Sequence, residues 1–187
     1  MNPITHFLVG WLTANSCELS RKERTLVTIA GIIPDIDSFG IIAEPLTSHW
    51  ERPLMWWSEY HHVLAHNIGF CLLMTGIGFL AAAQKWKTAF LVFLSFHLHL
   101  LGDLLGGRGP EGYSWPIPYL LPFSDAWPLT WSGQWELNAW PNFVITGLGL
   151  MATFYLAWKR GYSPIGLIFP RVDDLVIKAL RTRFPQK

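Results

Sequence analysis

The stretch Thr88-Ala89-Phe90-Leu91-Val92-Phe93-Leu94-Ser95-Phe96-His97-Leu98-His99-Leu100-Leu101-Gly102-Asp103 decides the fold. It is an apolar run of helical length that nevertheless holds two histidines and ends on an aspartate. Ionisable groups are costly in such surroundings unless they pair or bind a cation. Two further runs, Asn67 to Gln84 and Asn142 to Trp158, carry no charge at all. Each run approaches the roughly 20 residues that cross a hydrocarbon core of about 30 Å, so three spans are expected.

Composition agrees with that reading. The chain has 187 residues, 51% hydrophobic and only 14% charged, which fits one membrane-embedded unit better than an average soluble domain. The formal charge of +1 excludes nucleic acid as the main partner, because duplex binding needs a strong excess of Lys and Arg. Cys17 and Cys71 are too few for a disulfide framework. The N-terminus shows neither a basic leader nor a small-residue cleavage pattern, so no removable signal peptide is expected.

Outward from the spans, Ile4 to Ala14 and Leu26 to Ile33 flank the charged turn Arg21-Lys22-Glu23-Arg24 and read as an antiparallel hairpin of short or partly immersed helices. Residues 106–141 are rich in Trp, Pro, Tyr and Gly, which suits an irregular cap at the interface, where aromatic rings prefer to lie. From Arg171 onward, Val172, Leu175, Val176, Ala179 and Leu180 alternate with charges at the spacing of an amphipathic helix. The expected architecture is therefore all-α, a multi-helix transmembrane bundle with a Trp/Pro-rich interfacial cap. Residues 1–160 form the embedded domain and 161–187 a cytoplasmic amphipathic tail.

Charge also orients the chain. Arg21, Lys22, Arg24, Lys85, Lys87, Lys159 and Arg160 fall on one side of the zigzag, which the positive-inside rule makes cytoplasmic. Counted away from that side, His6, Asp35, His66, His99 and Asp103 lie ~11 to 19 residues out, about 17 to 28 Å at 1.5 Å per residue. They share one layer near the outer leaflet, beneath the cap.

Within that layer, His99 and Asp103 stand at i and i+4 and present an imidazole and a carboxylate on one helix face. The competing reading is a carboxylate that only hydrogen-bonds a buried histidine. His97 points away from that face and suits a hydrogen-bonded role. His62 and His66 share the i, i+4 spacing, while His61 reaches the same place only from a turn before the helix. Asp35 and Asp37 follow Pro34, which ends the preceding helix and leaves both carboxylates in a turn, as ligands or as caps of the next helix.

The order Thr5-His6, Ile32-Ile33-Pro34-Asp35-Ile36-Asp37, His61 to His66, and His99-Leu100-Leu101-Gly102-Asp103-Leu104-Leu105, followed by Gly109, Trp115-Pro116 and Leu121-Pro122-Phe123-Ser124, resembles the YdjM-type family of membrane-bound metal-dependent hydrolases over roughly residues 1–125. In that pattern His61 and His66 take the places of the family histidines. His62 stands where the family has arginine, Ala65 where it has threonine, and Asn67 where it has serine. An arginine clamps an anionic group bidentately, whereas His62 does so weakly and only when protonated, so either His62 has joined the metal set or substrate preference has shifted. The family is distantly similar to zinc-dependent phospholipases C, which implies an all-α bundle and phosphoester hydrolysis in the bacterial inner membrane.

The resemblance and the ligand chemistry together give His6, Asp35, His61, His66, His99 and Asp103 as expected metal ligands. Asp37 is expected as a further ligand or as the general base, and His62 and His97 as supporting or additional ligands. Such a set suits Zn²⁺ or a similar divalent ion, one or more. The expected function is a metal-dependent hydrolase using a metal-activated water on a lipid-like or phosphoester substrate drawn from the bilayer. The other class is a non-enzymatic metal or ion carrier, whose polar groups would continue along the spans. In residues 67–84 and 142–158 they are few. Haem ligation is disfavoured by the neighbouring aspartates. His49 reads as an ordinary interfacial histidine, and nothing in the sequence assigns an oligomeric state.

Overall fold

The computed structural model describes residues 1–109 and 114–186; residues 110–113 of the expected cap and Lys187 of the expected tail lie outside the described residues. Among the described residues the chain is helical, without a strand. The expected hairpin is present as α1 (Pro3–Ala14) and α2 (Arg21–Ala30). Each helix begins on a side-chain cap. Asn2 Oδ1 accepts from Thr5 N at 2.9 Å, and Ser20 and Glu23 form a reciprocal capping box. Caps of this kind contribute about 1 kcal/mol each. The two helices cross where neither has a side chain, because a Cβ on Gly31 would lie 2.8 Å from Gly10 Cα.

Beyond Gly31 the chain enters a 3-10 helix over Ile33–Phe39 and continues into α3 (Gly40–Thr47), bent by 52° from α2. Asp35 and Asp37, expected in a plain turn, therefore sit in a tight helical corner. Pro34 accounts for this, since proline fits the first turn of a helix, where its missing N–H is not needed. After α4 (Trp56–Tyr60), residues 61–67 form an irregular loop that ends on Asn67. His62 and His66 are thus not on a shared helix face, as their spacing suggested.

Asn67 caps α5 (Ile68–Ala81), accepting from Phe70 N at 2.9 Å. The next free amides of α5, those of Ile68 and Gly69, donate to Tyr119 O and Leu121 O at 2.7 and 3.0 Å. The cap segment thereby satisfies a helix end that would otherwise be short of partners. A turn joins α5 to α6 (Lys85–Gly106), and Glu23 ties this turn to the first hairpin by accepting from Gln84 N at 2.7 Å. α7 (Trp140–Arg160) returns along α1, with Thr5 Oγ1 and Thr146 Oγ1 2.6 Å apart.

The three expected spans need correction. α5 has 14 residues, about 21 Å at 1.5 Å per residue, which falls short of a hydrocarbon core. The uncharged run exceeds its helix because the backbone turns extended at Ala82. α6 and α7, with 22 and 21 residues, are long and apolar enough to cross, and the bent pair of α2 with residues 33–47 makes a third candidate if it acts as one span.

The core lies between α1, α2 and α6, where Ala14, Val27, Ala30, Leu91 and Val92 pack together and Trp11 is fully buried. A second cluster of Cys71, Phe96, Leu100 and Ile117 joins α5 and α6 to the cap. The outer face of α7 exposes Phe143, Leu148, Met151 and Phe154, an apolar surface of the kind that lipid covers. Between Arg108 and Glu136 the described cap is irregular, with two isolated bridges, Arg108 to Glu136 and Ile117 to Leu129. The tail carries the amphipathic helix its spacing predicts, α8 (Pro170–Arg183). Its connection is pinned beside the first hairpin, with Tyr162 Oη donating to Asn15 Oδ1 at 2.9 Å and the Arg24 guanidinium 3.9 Å above the Tyr162 ring.

Candidate metal centre

His6 on α1, Asp35 in the 3-10 corner, and His99 and Asp103 on α6 each offer a donor atom, and these four atoms lie within 4.8 Å of one another. A second set, His62, His66 and Asp103, meets the same condition. Asp103 belongs to both. Its Oδ1 lies 2.9 Å from His6 Nε2 and also accepts from the Met1 ammonium. Its Oδ2 lies 2.9 Å from His99 Nε2 and 3.4 Å from His66 Nε2.

The backbone explains how distant residues meet. α1 and α6 pack so closely that a Cβ on Gly102 would come within 3.0 Å of His6 Cε1. The His6 and His99 rings then stack at 3.8 Å between centroids. The close crossing at Gly10 and Gly31 brings the start of the 3-10 corner against the same region, and Gly31 O lies 3.0 Å from His99 Nδ1. The irregular loop 61–67 brings in His66, whose ring centroid lies 5.1 Å from that of His99.

Hydrogen bonding fixes the tautomers. A carbonyl only accepts, so His99 Nδ1 carries the proton it donates to Gly31 O. Asp37 Oδ2 lies 2.9 Å from His66 Nδ1, and a carboxylate likewise draws the proton to that nitrogen. In their neutral forms both imidazoles turn bare Nε2 lone pairs inward, and those two atoms are 3.1 Å apart. Asp35 Oδ2, buried, has no hydrogen-bond partner, and Asp103 Oδ2, also buried, faces those two Nε2 atoms. Lone pairs and carboxylates converging in this way repel unless a proton or a cation stands among them. Ligand atoms held about 2.0–2.2 Å from a tetrahedral ion lie roughly 3.3–3.6 Å apart, close to the spacings of this set. The residues present fit a divalent ion.

The loop histidines sit outside the candidate spans, and their surroundings differ. Burial and the charge of His66 push the His62 imidazole well below its usual range. Burial also opposes charge on His66, but its hydrogen bonds to Asp103 and Asp37 outweigh that and raise it to about 9.

The remaining expected site residues fall in different places. His61 is turned to Asp37 and Ser38, its Nδ1 3.2 Å from Asp37 Oδ1 and 3.3 Å from Ser38 Oγ, and its ring stacks on Trp57 at 3.9 Å. It is not among the donors gathered within 4.8 Å. Asp37 faces the Nδ1 side of His61 and His66, the position of a group that orients ligands. His97 is kept away from the centre, with Nδ1 2.8 Å from Phe93 O and Nε2 2.8 Å from Tyr119 Oη.

Some contributors carried little signal in the sequence. Gly31 acts through its carbonyl and Gly102 through the absence of a side chain, and neither leaves a pattern. Gln134 donates to Asp103 O at 2.7 Å from a segment without periodicity. Asn67, read above only as the start of an uncharged run, could have been found as an N-cap from its place before apolar residues. A cavity of about 520 Å³ is lined by His61, Glu59, Trp57, Trp115, Pro116 and Pro118, a mixed polar and aromatic surface beside the loop histidines.

The family model described as YdjM inner membrane protein matches residues 1–169. No curated protein and no solved structure matches the chain.

Proposed function

Because the chain belongs to the YdjM inner membrane protein family, we propose that it is a multi-pass inner-membrane hydrolase that cleaves a phosphoester or another lipid-like ester at the His/Asp cluster. One observation carries the reading. The Nε2 atoms of His66 and His99 approach to 3.1 Å, each with its Nδ1 committed elsewhere, beside Asp103 Oδ2 and the unpartnered Asp35 Oδ2.

A divalent ion, Zn²⁺ by the mix of imidazole and carboxylate donors, would supply Lewis acidity towards a phosphoryl or carbonyl oxygen and bring the pKa of a coordinated water towards about 7. His6, His99, Asp35 and Asp103 would hold it. Asp37 and the Gly31 carbonyl keep the His66 and His99 rings in the binding tautomer. Asp35, whose side chain is 13% exposed against 3% for Asp103, is the more exposed of the two carboxylates and would, through the oxygen not holding the ion, accept a proton from the attacking water.

Location supports an amphiphilic substrate. Lys85 and His99 lie 14 residues apart on α6, about 21 Å along its axis. The positive-inside rule assigns the basic end of α6 to the cytoplasm, which leaves the cluster near the outer face. There the cavity between Trp57 and Trp115 admits a head group while acyl chains remain in lipid.

The test is the full chain purified in detergent, with bound metal measured alongside hydrolysis of phosphodiester and phospholipid substrates. Wild-type protein should retain metal and cleave one substrate class, and His99→Ala and Asp103→Ala should lose both properties. Metal retention without hydrolysis of any ester would instead favour a carrier.

A further inference from the structure

We propose that His62, His66 and Asp103 form a second divalent-cation site that shares Asp103 with the first; this rests on the metal-centre reading above. Three observations separate it from ordinary packing of a histidine.

His62 is buried at 4% exposure, and its Nδ1 has no hydrogen-bond partner. A ring nitrogen buried without a partner has lost its water without replacement, which proteins rarely tolerate outside a functional site. His62 also adopts φ +63°, a left-handed conformation that a β-carbon disfavours. Such a backbone persists where surrounding contacts impose it, and these positions cluster at ligand clamps. Here it turns the ring between His61 and His66, at 4.2 and 4.4 Å between centroids, with Trp115 at its edge.

Asp103 has oxygens for both sites. Oδ1 faces His6, while Oδ2 lies between His99 and His66, so one carboxylate can serve two ions. Asp37 fixes the His66 tautomer for the second ion as Gly31 fixes that of His99 for the first.

The two donor sets differ in kind. The first has four protein donors, so water binds there only as a fifth ligand. The second has three, two of them imidazoles, which leaves a position for water or substrate and suits Zn²⁺ or Co²⁺. His61 and Trp115, which pack against His62, also line the cavity beside the cluster, so the incomplete shell is the one closer to the approach.

The experiment compares wild type, His62→Gly and His6→Ala as full chains in detergent, stripped with chelator, reloaded with Co²⁺ and read by elemental analysis and visible absorption. Glycine suits φ +63°, so His62→Gly removes the imidazole without new backbone strain. Wild type should take up about two ions per chain and His62→Gly about one, with the remaining ion bound as tightly as before. His6→Ala should keep the spectrum of the three-donor site. Wild type binding one ion, with His62→Gly unchanged from it, would overturn the second site and leave the hydrolase reading intact. Wild type binding none would overturn both.

Discussion

Asp37 and His66 are joined by a 2.9 Å contact between Oδ2 and Nδ1, while the other Asp37 oxygen lies 3.2 Å from His61 Nδ1. The same corner that supplies Asp37 begins at Gly31, whose carbonyl holds His99. The bend between α2 and α3 thus delivers both groups that set the tautomers of the facing imidazoles. A straight helix through residues 21–47 would place Gly31 and Asp37 nearly two turns apart along one axis.

Replacing Asp37 with Asn should therefore weaken metal binding by about 10- to 100-fold while leaving the fold in place. The amide keeps the shape of the carboxylate but not its charge, so His66 no longer has a reason to keep its proton on Nδ1. Competition titration with a chromophoric chelator measures the affinity, and the unfolding midpoint of chelated protein reports on the fold. Equal affinity in Asp37→Asn and wild type would show that this carboxylate orients nothing.

Protons and cations compete for His66. Its imidazole, raised to about 9 by Asp103 and Asp37 against the effect of burial, must lose a proton before Nε2 can bind metal. Apparent affinity should rise roughly tenfold per pH unit between about 6.5 and 9 and level off above that. The stability of the chelated protein should run the other way. The folded-state pKa lies above the unfolded value, so this contribution is complete below about 6.5 and lost as pH climbs through about 9. Calorimetric titration in buffers of different ionisation enthalpy should detect about one proton released per chain at neutral pH, as the ion at His66 binds.

Gly102→Ala sets helix propensity against the site. In an exposed helix this change stabilises by about 1 kcal/mol. Here the new Cβ would lie 3.0 Å from His6 Cε1 and 3.3 Å from Met1 Sδ. The His6 ring cannot retreat freely, because it stacks on His99 and bonds Asp103. Metal affinity should fall while the unfolding midpoint of metal-free protein holds or rises. A parallel loss of both would instead place the damage in the packing of α1 against α6.

The sequence and the structure divide at the scale of local backbone geometry. His99 and Asp103 were legible because i, i+4 spacing survives in any helix, and the common depth of His6, Asp35, His66 and His99 followed from charge and rise per residue alone. The α1–α2 hairpin was visible as two apolar runs, although Arg21–Arg24, read as the turn between them, forms the first turn of α2. Nothing in the residue pattern foretold the left-handed backbone at His62, which turned an apparent helix face into a loop. The extent of α5 was hidden because alanines 81–83 are apolar whether helical or not. Asp37 reads alike as ligand, base or orienting group until its two neighbouring imidazoles are seen, and those come from a loop more than 20 residues away.

Asn142 tests whether the cap and the centre are energetically separate. It is buried at 1% exposure; its Nδ2 donates to Gly106 O and Leu137 O at 2.9 and 2.8 Å, and its Oδ1 accepts from Trp135 Nε1 at 2.9 Å. Through these bonds the start of α7 holds the end of α6 and the last segment of the cap. Asn142→Leu keeps the volume but strands at least one carbonyl and an indole N–H, at about 1–3 kcal/mol for each group left without a partner. The unfolding midpoint in detergent should drop by several degrees. No metal donor is touched, so ions bound per folded chain should stay at the wild-type level. Loss of metal from folded Asn142→Leu protein would show instead that the cap's grip on Gly106 positions Asp103, three residues earlier on α6.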